Sequence, residues 1–194
     1  MGQPKYKNCC KVTMHEECLE EPLKWKRPQT IFVCSMSDLF HKDVPDDFII
    51  KVFNTMNRAS WHTFQVLTKR AERLEELAPK LNWTKNIWLG VTVESEEQKQ
   101  RIPYLVNTPA YIKYLSIEPM ITEIKDLSLN NINWVIVGGE SGPGARPIKE
   151  DWVTEIRDNC IENNVPFFFK QWGGVNKKVA GCTLQGRMWK ELPI

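Results

Sequence analysis

Long apolar runs are missing from this sequence. Stretches such as Ile31–Cys34 and Trp134–Val137 are too short to cross a bilayer, so no membrane association is expected. The start, Met1-Gly2-Gln3-Pro4-Lys5-Tyr6, lacks the apolar core of a signal peptide, and Tyr6 stands where a myristoylation signal needs Ser or Thr. A cytoplasmic location is the expectation. An excess of one charge is missing too: 26 Lys and Arg face 24 Asp and Glu, for a net charge of +2. That balance excludes an acidic disordered chain and counts against a strongly basic nucleic-acid binder. Histidine is scarce, and His15, His41 and His62 stand apart with no Ser/His/Asp arrangement around them. No GxGxxG motif occurs, nor the Lys-Ser/Thr of a P-loop. Six cysteines in 194 residues without an export signal are not a disulfide framework.

What is present is an alternation of short apolar runs with longer amphipathic patterns. Strands are expected at Thr30–Cys34, Thr63–Leu67, Asn86–Val93, Tyr111–Ile117, Asn133–Val137 and Pro166–Lys170. Helical spacing follows Pro45 and Asp46-Asp47 through Phe48, Ile49, Val52, Phe53 and Met56. It recurs over Ala71–Leu81, Ser95–Val106 and Asp151–Asn163. Cys34 and Cys160 fall inside apolar patterns and read as buried thiols. Residues 1–29 read as an irregular N-terminal segment and 174–194 as a tail over the surface of one domain spanning 1–194. Nearly continuous apolar strands separated by amphipathic helices indicate a parallel α/β fold. The spacing suits a βα-barrel or a doubly wound sheet.

The strand ends carry the chemistry, because βα loops converge at the C-terminal edge of a parallel sheet. Strand one exits into Ser35, Ser37 and Asp38; strand two into Lys69 and Arg70; strand three at Glu94; strand four at Glu118. Strand five exits into Gly138-Gly139-Glu140-Ser141-Gly142-Pro143-Gly144-Ala145-Arg146, and strand six into Lys170 and Gln171. Polar groups at so many strand ends point to one shared small-molecule site, and convergence of this kind favours a barrel over an open sheet. Gly138 and Gly139 permit close approach of a ligand to backbone N–H groups, Glu140 can accept from an amine or hydroxyl, and Arg146 can grip a carboxylate or phosphate. Mutual salt bridges are the plainer reading for Lys69, Arg70 and Lys170 among the carboxylates. Eight tryptophans invite base stacking, but most occupy strand or helix positions where packing suffices.

Taken together, these strings resemble a bacteriophage and prophage family, the Gp-thirty-seven/Gp-sixty-eight proteins. The likeness runs through Phe32–His41, Phe64–Arg70, Trp88–Val91, Leu115–Pro119, Val137–Pro147 and Phe168–Gly173, and extends from about Gly2 to the end of the chain. The resemblance implies a radical-SAM-like partial (βα) TIM-like barrel of about six parallel strands, with S-adenosylmethionine and a [4Fe–4S] cluster as cofactors and an unknown substrate. It also implies that the family's cysteine-bearing segment and first strand lie upstream of the stretch that Met1–Tyr6 resembles. Cys9, Cys10 and Cys18 are spaced Cys-Cys-x7-Cys rather than as cluster ligands, and with His15 they read as loop residues, so no metal ligand is assigned. The family assigns no residue roles; by their position at the strand ends, Glu94, Gly138, Gly139, Glu140 and Ser141 would hold the cofactor, and Ser35, Ser37, Arg70, Arg146 and Gln171 the substrate. Asp38, Lys69, Glu118 and Lys170 are the catalytic candidates. The alternative is a non-catalytic ligand-binding half-barrel whose open edge seeks a partner chain or a second copy.

Overall fold

A computed structural model describes residues 11–175 and 180–193. Six strands, β1 (Thr30–Val33), β2 (Thr63–Thr68), β3 (Ile87–Thr92), β4 (Ile112–Ile117), β5 (Trp134–Val137) and β6 (Phe167–Phe169), form one sheet. The sheet runs β1-β2-β3-β4-β5-β6, and every neighbouring pair is parallel. Sequential parallel order with right-handed crossovers places all the connections on one face, so the sheet curls instead of reversing direction. The result is a half-barrel, not the doubly wound sheet that the spacing alone allowed.

The outer face is built from the helices that the apolar spacing predicts. In α2 (Asp46–Arg58), Pro45 precedes the first turn, Asp46 and Asp47 complement its dipole, and Ile49, Phe53 and Met56 are buried at helical spacing. The expected helix over 71–81 is α-helical only as α3 (Ala71–Leu77); at Pro79, which has no N–H to donate, the chain tightens into a 3-10 turn, Ala78–Lys80. Pro103 acts similarly on the helix expected over 95–106. The segment divides into a 3-10 turn, Glu96–Gln100, and α4 (Arg101–Val106), which keeps the proline in a first turn. Between β4 and β5 no helix forms, and Met120, Ile124, Leu127, Leu129 and Ile132 fill the outer layer. α5 (Glu150–Glu162) buries Val153, Ile156 and Cys160. Burial pushes the Cys160 thiol up to about 12.

Strand residues alternate between this outer core and the concave face. Val66, Leu89, Val91, Leu115, Ile117, Val135, Val137, Phe167 and Phe169 join the helix layer. Trp88, Tyr114, Trp134 and Phe168 occupy the other face, where their rings touch at centroid separations of 5.7–6.0 Å. Tyr114 lies over Gly90, where any Cβ would come within 2.4 Å of its ring, and its hydroxyl donates to the Val66 carbonyl at 3.0 Å.

The two ends of the chain differ from expectation. Residues 11–29 contain a 3-10 turn, Glu16–Cys18, and a short helix α1 (Glu21–Lys24). The tail is not a surface wrap. It forms a hairpin, β7 (Thr183–Leu184) and β8 (Arg187–Met188), turned through Gln185 and Gly186 at positive φ, and then runs antiparallel along β6. The Phe169 amide donates to the Trp189 carbonyl at 3.0 Å and the Glu191 amide to the Phe167 carbonyl at 3.2 Å. That edge is therefore closed by the chain itself. At the opposite edge, β1 pairs with β2 and, among the described residues, with no other strand.

Candidate functional site

Lys69, Glu94, Glu118, Gly138 and Lys170 each continue the concave-face alternation of their strands past the C-terminal end, which brings them to the mouth of the half-barrel. They are not free there. Glu94, a tenth exposed, receives Lys69 on one oxygen and Arg101 at 2.8 Å on the other. Burial opposes ionisation of Glu94, but the Lys69 hydrogen bond and charge, with Arg101, outweigh it and hold the carboxyl below its ordinary value. Glu118 receives Lys170 Nζ at 2.9 Å and Gln171 Nε2 at 2.7 Å.

Asp38 ties the exits of β1 and β2 together. One oxygen accepts from the Phe40 amide at 2.9 Å and the Thr68 hydroxyl at 2.7 Å; the other accepts from the Lys69 amide and Arg70, both at 3.0 Å. Four donors on one carboxylate make it a staple of the loop. Ser35 and Ser37 are exposed in the turn beside it. Cys34, expected to be buried, instead opens that turn half-buried with φ +58°, and its amide oxygen accepts from Ser37. Burial, with the Asp38 charge, raises its thiol pKa despite a hydrogen bond from Ser37, so the neutral thiol is the form present at neutral pH.

The glycine-rich loop after β5 is folded onto its own chain. The Gly138 amide donates to the Ile117 carbonyl at 3.1 Å and the Gly139 amide to the Gln171 carbonyl at 2.9 Å, so neither N–H faces a ligand. A Cβ on Gly139 would sit 2.0 Å from the Trp172 carbonyl oxygen, and one on Gly173 2.1 Å from that of Glu140. The close approach that these glycines allow is between two segments of this chain. Glu140 and Arg146, read from sequence as ligand groups, grip each other at 2.7 and 3.0 Å, with the Arg146 amide adding a third bond at 2.9 Å. This pairing draws the Glu140 carboxyl down to about 2. Ser141 is exposed and bridges to Gly174.

Beside the paired charges lies a groove of about 1180 Å³ that runs from Glu118, Lys69 and Arg70 toward the outer edge of β1. Phe32, Met36 and Leu67 give it an apolar side, and segment 11–15 forms its far wall. Sequence reasoning placed Thr68 at the exit of strand two without its bond to Asp38, and missed Arg101 and this wall. A cation one helix start beyond the strand-end acid was the available signal for Arg101, whereas the wall has no signature. The mouth thus offers cations and carboxylates in alternation next to apolar surface, a donor set matched to a zwitterion with an apolar body. For a metal the finding differs. Among the described residues no group of three or more His, Cys, Asp or Glu is placed to hold an ion, and His15 is bonded to Glu17 at 2.8 Å. Cys18 is half-buried, while Cys9 and Cys10 lie outside the described residues. The described residues therefore offer no site for an iron–sulfur cluster. No described helix is long and apolar enough to cross a membrane.

A family model described as "Protein of unknown function (DUF5131)" matches residues 1–193. No curated protein and no solved structure matches the chain.

Proposed function

We propose that this chain, which belongs to the DUF5131 family, binds a small zwitterionic ligand of the S-adenosylmethionine type at the mouth of its half-barrel, as the ligand-holding part of a phage-associated radical enzyme. The observation that carries this reading is the row of alternating charges at adjacent strand ends, Lys69–Glu94, Asp38–Arg70 and Glu118–Lys170, bordering an apolar groove. Lys69 and Arg70 would take the ligand's carboxylate and Glu118 its ammonium, while Phe32 and Leu67 cover its apolar part. When bound, S-adenosylmethionine would supply the reacting group, and the electron that cleaves it would have to come from a cluster for which the described residues offer no ligands. The residues of this chain bind and orient it.

A second reading is a non-catalytic half-barrel. It is favoured by the internal pairing of all four strand-end carboxylates and by the outer edge of β1, which among the described residues pairs with no strand and where a partner strand could add. Titration calorimetry with S-adenosylmethionine and S-adenosylhomocysteine tests the proposal. Binding that weakens about tenfold in Lys69→Ala and in Glu118→Gln supports it, and no heat with either compound at about 1 mM overturns it. Anaerobic reconstitution with iron and sulfide separates the two readings. About four irons bound by the wild type and lost in a triple Ala variant of Cys9, Cys10 and Cys18 favours the enzyme, and no bound iron favours the binder.

A further inference from the structure

The near-zero net charge conceals a segregation. All six strands start at one end of the sheet, opposite the mouth. The segments leading into them, 25–29, 59–62, 81–86, 107–111, 130–133 and 163–166, contain no Asp or Glu. They contain Lys26, Arg27 and Lys85, with Lys24 adjoining at the end of α1. Among the described residues none of these four cations has a carboxylate partner, whereas Lys69, Arg70 and Lys170 at the mouth each have one. Glu20 and Glu75, on the flanking helices, are taken up by Arg58 at 2.9 Å and by the Asn107 amide at 2.8 Å.

Among the described residues, the same end holds three of the four most exposed aromatic side chains, Trp25, Trp61 and Tyr111, leading into β1, β2 and β4. They are fixed in place. The Trp61 indole N–H donates to the Trp25 carbonyl at 2.8 Å, and both rings lean on buried His62. His62 is held as one neutral tautomer, with Nε2–H donating to the Pro22 carbonyl at 3.0 Å and Nδ1 accepting from the Gln29 amide at 3.1 Å. Lys85 sits 5.1 Å from the centre of the Tyr111 ring. Because β1 to β4 are adjacent, about 4.8 Å apart, these groups form one row of rings and cations across roughly 15 Å.

We propose that this row is a binding site for single-stranded nucleic acid: bases stack on Trp25, Trp61 and Tyr111 while Lys24, Lys26, Arg27 and Lys85 meet the phosphates. Interleaved rings and unpaired cations are what sequence-tolerant single-strand binding requires. A lipid surface fits less well. Met36 belongs to the mouth, and the exposed Ile161 and Leu192 lie on the β6 side of this end, beside α5 and Phe167, so among the described residues the row over β1 to β4 has no aliphatic wedge to insert into a bilayer.

Fluorescence anisotropy of labelled 20-mers, oligo-dT and oligo-U, with the full chain decides the matter. The expected result is saturable binding whose log–log dependence on salt has a slope of about −2 to −3, for four phosphate contacts. The double variant Lys26→Glu/Arg27→Glu, two exposed positions, should lose about thirtyfold or more. Trp25→Ala, which retains the carbonyl that holds Trp61, should lose about five- to a hundredfold. Circular dichroism melts identify any variant that misfolds, and Lys24→Ala/Lys85→Ala then replaces it. No rise in anisotropy at about 100 µM protein and 50 mM salt overturns the proposal, as does affinity indifferent to these substitutions. Sedimentation with phosphatidylserine-containing vesicles but no oligonucleotide binding would assign the row to a membrane surface instead.

Discussion

The two ends of this sheet are made from the same strands and treat charge in opposite ways. At the mouth, Asp38, Glu94, Glu118 and Glu140 are each held by a cation, and the loop amides are spent on neighbouring loops. At the strand starts, the leading segments carry no Asp or Glu, and Glu191 beside Phe167 is taken up by that residue's amide and by Arg187. Among the described residues Lys24, Lys26, Arg27 and Lys85 stand beside half-exposed rings with no carboxylate partner. Mutually satisfied charges give a rigid, specific cavity, because moving one group strands another. Unpaired surface cations give a surface that tolerates change and attracts anything anionic. A net charge of +2 describes neither end.

The contrast breaks most sharply at Gly139. Gly139→Ala forces a methyl group onto the Trp172 carbonyl and is expected to cost about 3 kcal/mol or more, seen as a lowered denaturant midpoint. Next is Asp38→Ala, which strands two backbone amides and Arg70; a loss of about 2–3 kcal/mol by the same measurement is expected, and a loss under about 0.5 kcal/mol would show that the staple is ornamental.

The third effect is a pH dependence. Glu140 has a folded-state value of about 2 against an ordinary 4.5, so its stabilisation is complete above pH 4.5. Below that the unfolded chain takes up a proton that the folded chain refuses, and the contribution declines until it is gone near pH 2. Glu94, lowered likewise, adds to the same acid limb. Arg146→Ala should therefore flatten the fall in melting temperature between pH 4.5 and pH 2, and an unchanged acid limb would mean the ion pair does not persist in solution. The smallest effect is expected at the other end, where Lys26→Ala should shift stability by no more than about 0.5 kcal/mol in either direction.

Sequence pattern carried the six strands because each is a short apolar run. β3 to β5 are buried on most of both faces and leave a nearly continuous mark, whereas β2 alternates buried and half-exposed residues and β1 is largely exposed, both still legible from their β-branched and aromatic residues. It carried the curl indirectly, through polar residues at every strand exit. It could not find the breaks at Pro79 and Pro103 inside convincing apolar stripes, nor the pairing of 189–191 along β6, since three residues carry no periodicity. At the mouth the residue types were legible and their partners were not. Gly138-Gly139 shows that something comes close, but only the fold shows that it is Gln171–Gly173. Glu140 and Arg146 were read as two ligand groups, and in the structure each answers the other. Most tryptophans were read as packing residues by their position in strands or helices; Trp25 and Trp61 stand at the surface, joined across 36 residues of sequence by the bond from the Trp61 indole to the Trp25 carbonyl and by their shared contact with His62.

The strand order bears on how the molecule comes into being. On a ribosome each strand emerges with its only earlier neighbour already made, so the sheet can lengthen one ribbon at a time without waiting for distant sequence. The exception is the far side of β6, whose partner carbonyl and amide belong to Trp189 and Glu191. For about twenty codons the growing sheet carries a bare edge, and a translational pause in that window would leave nascent chains able to pair with one another.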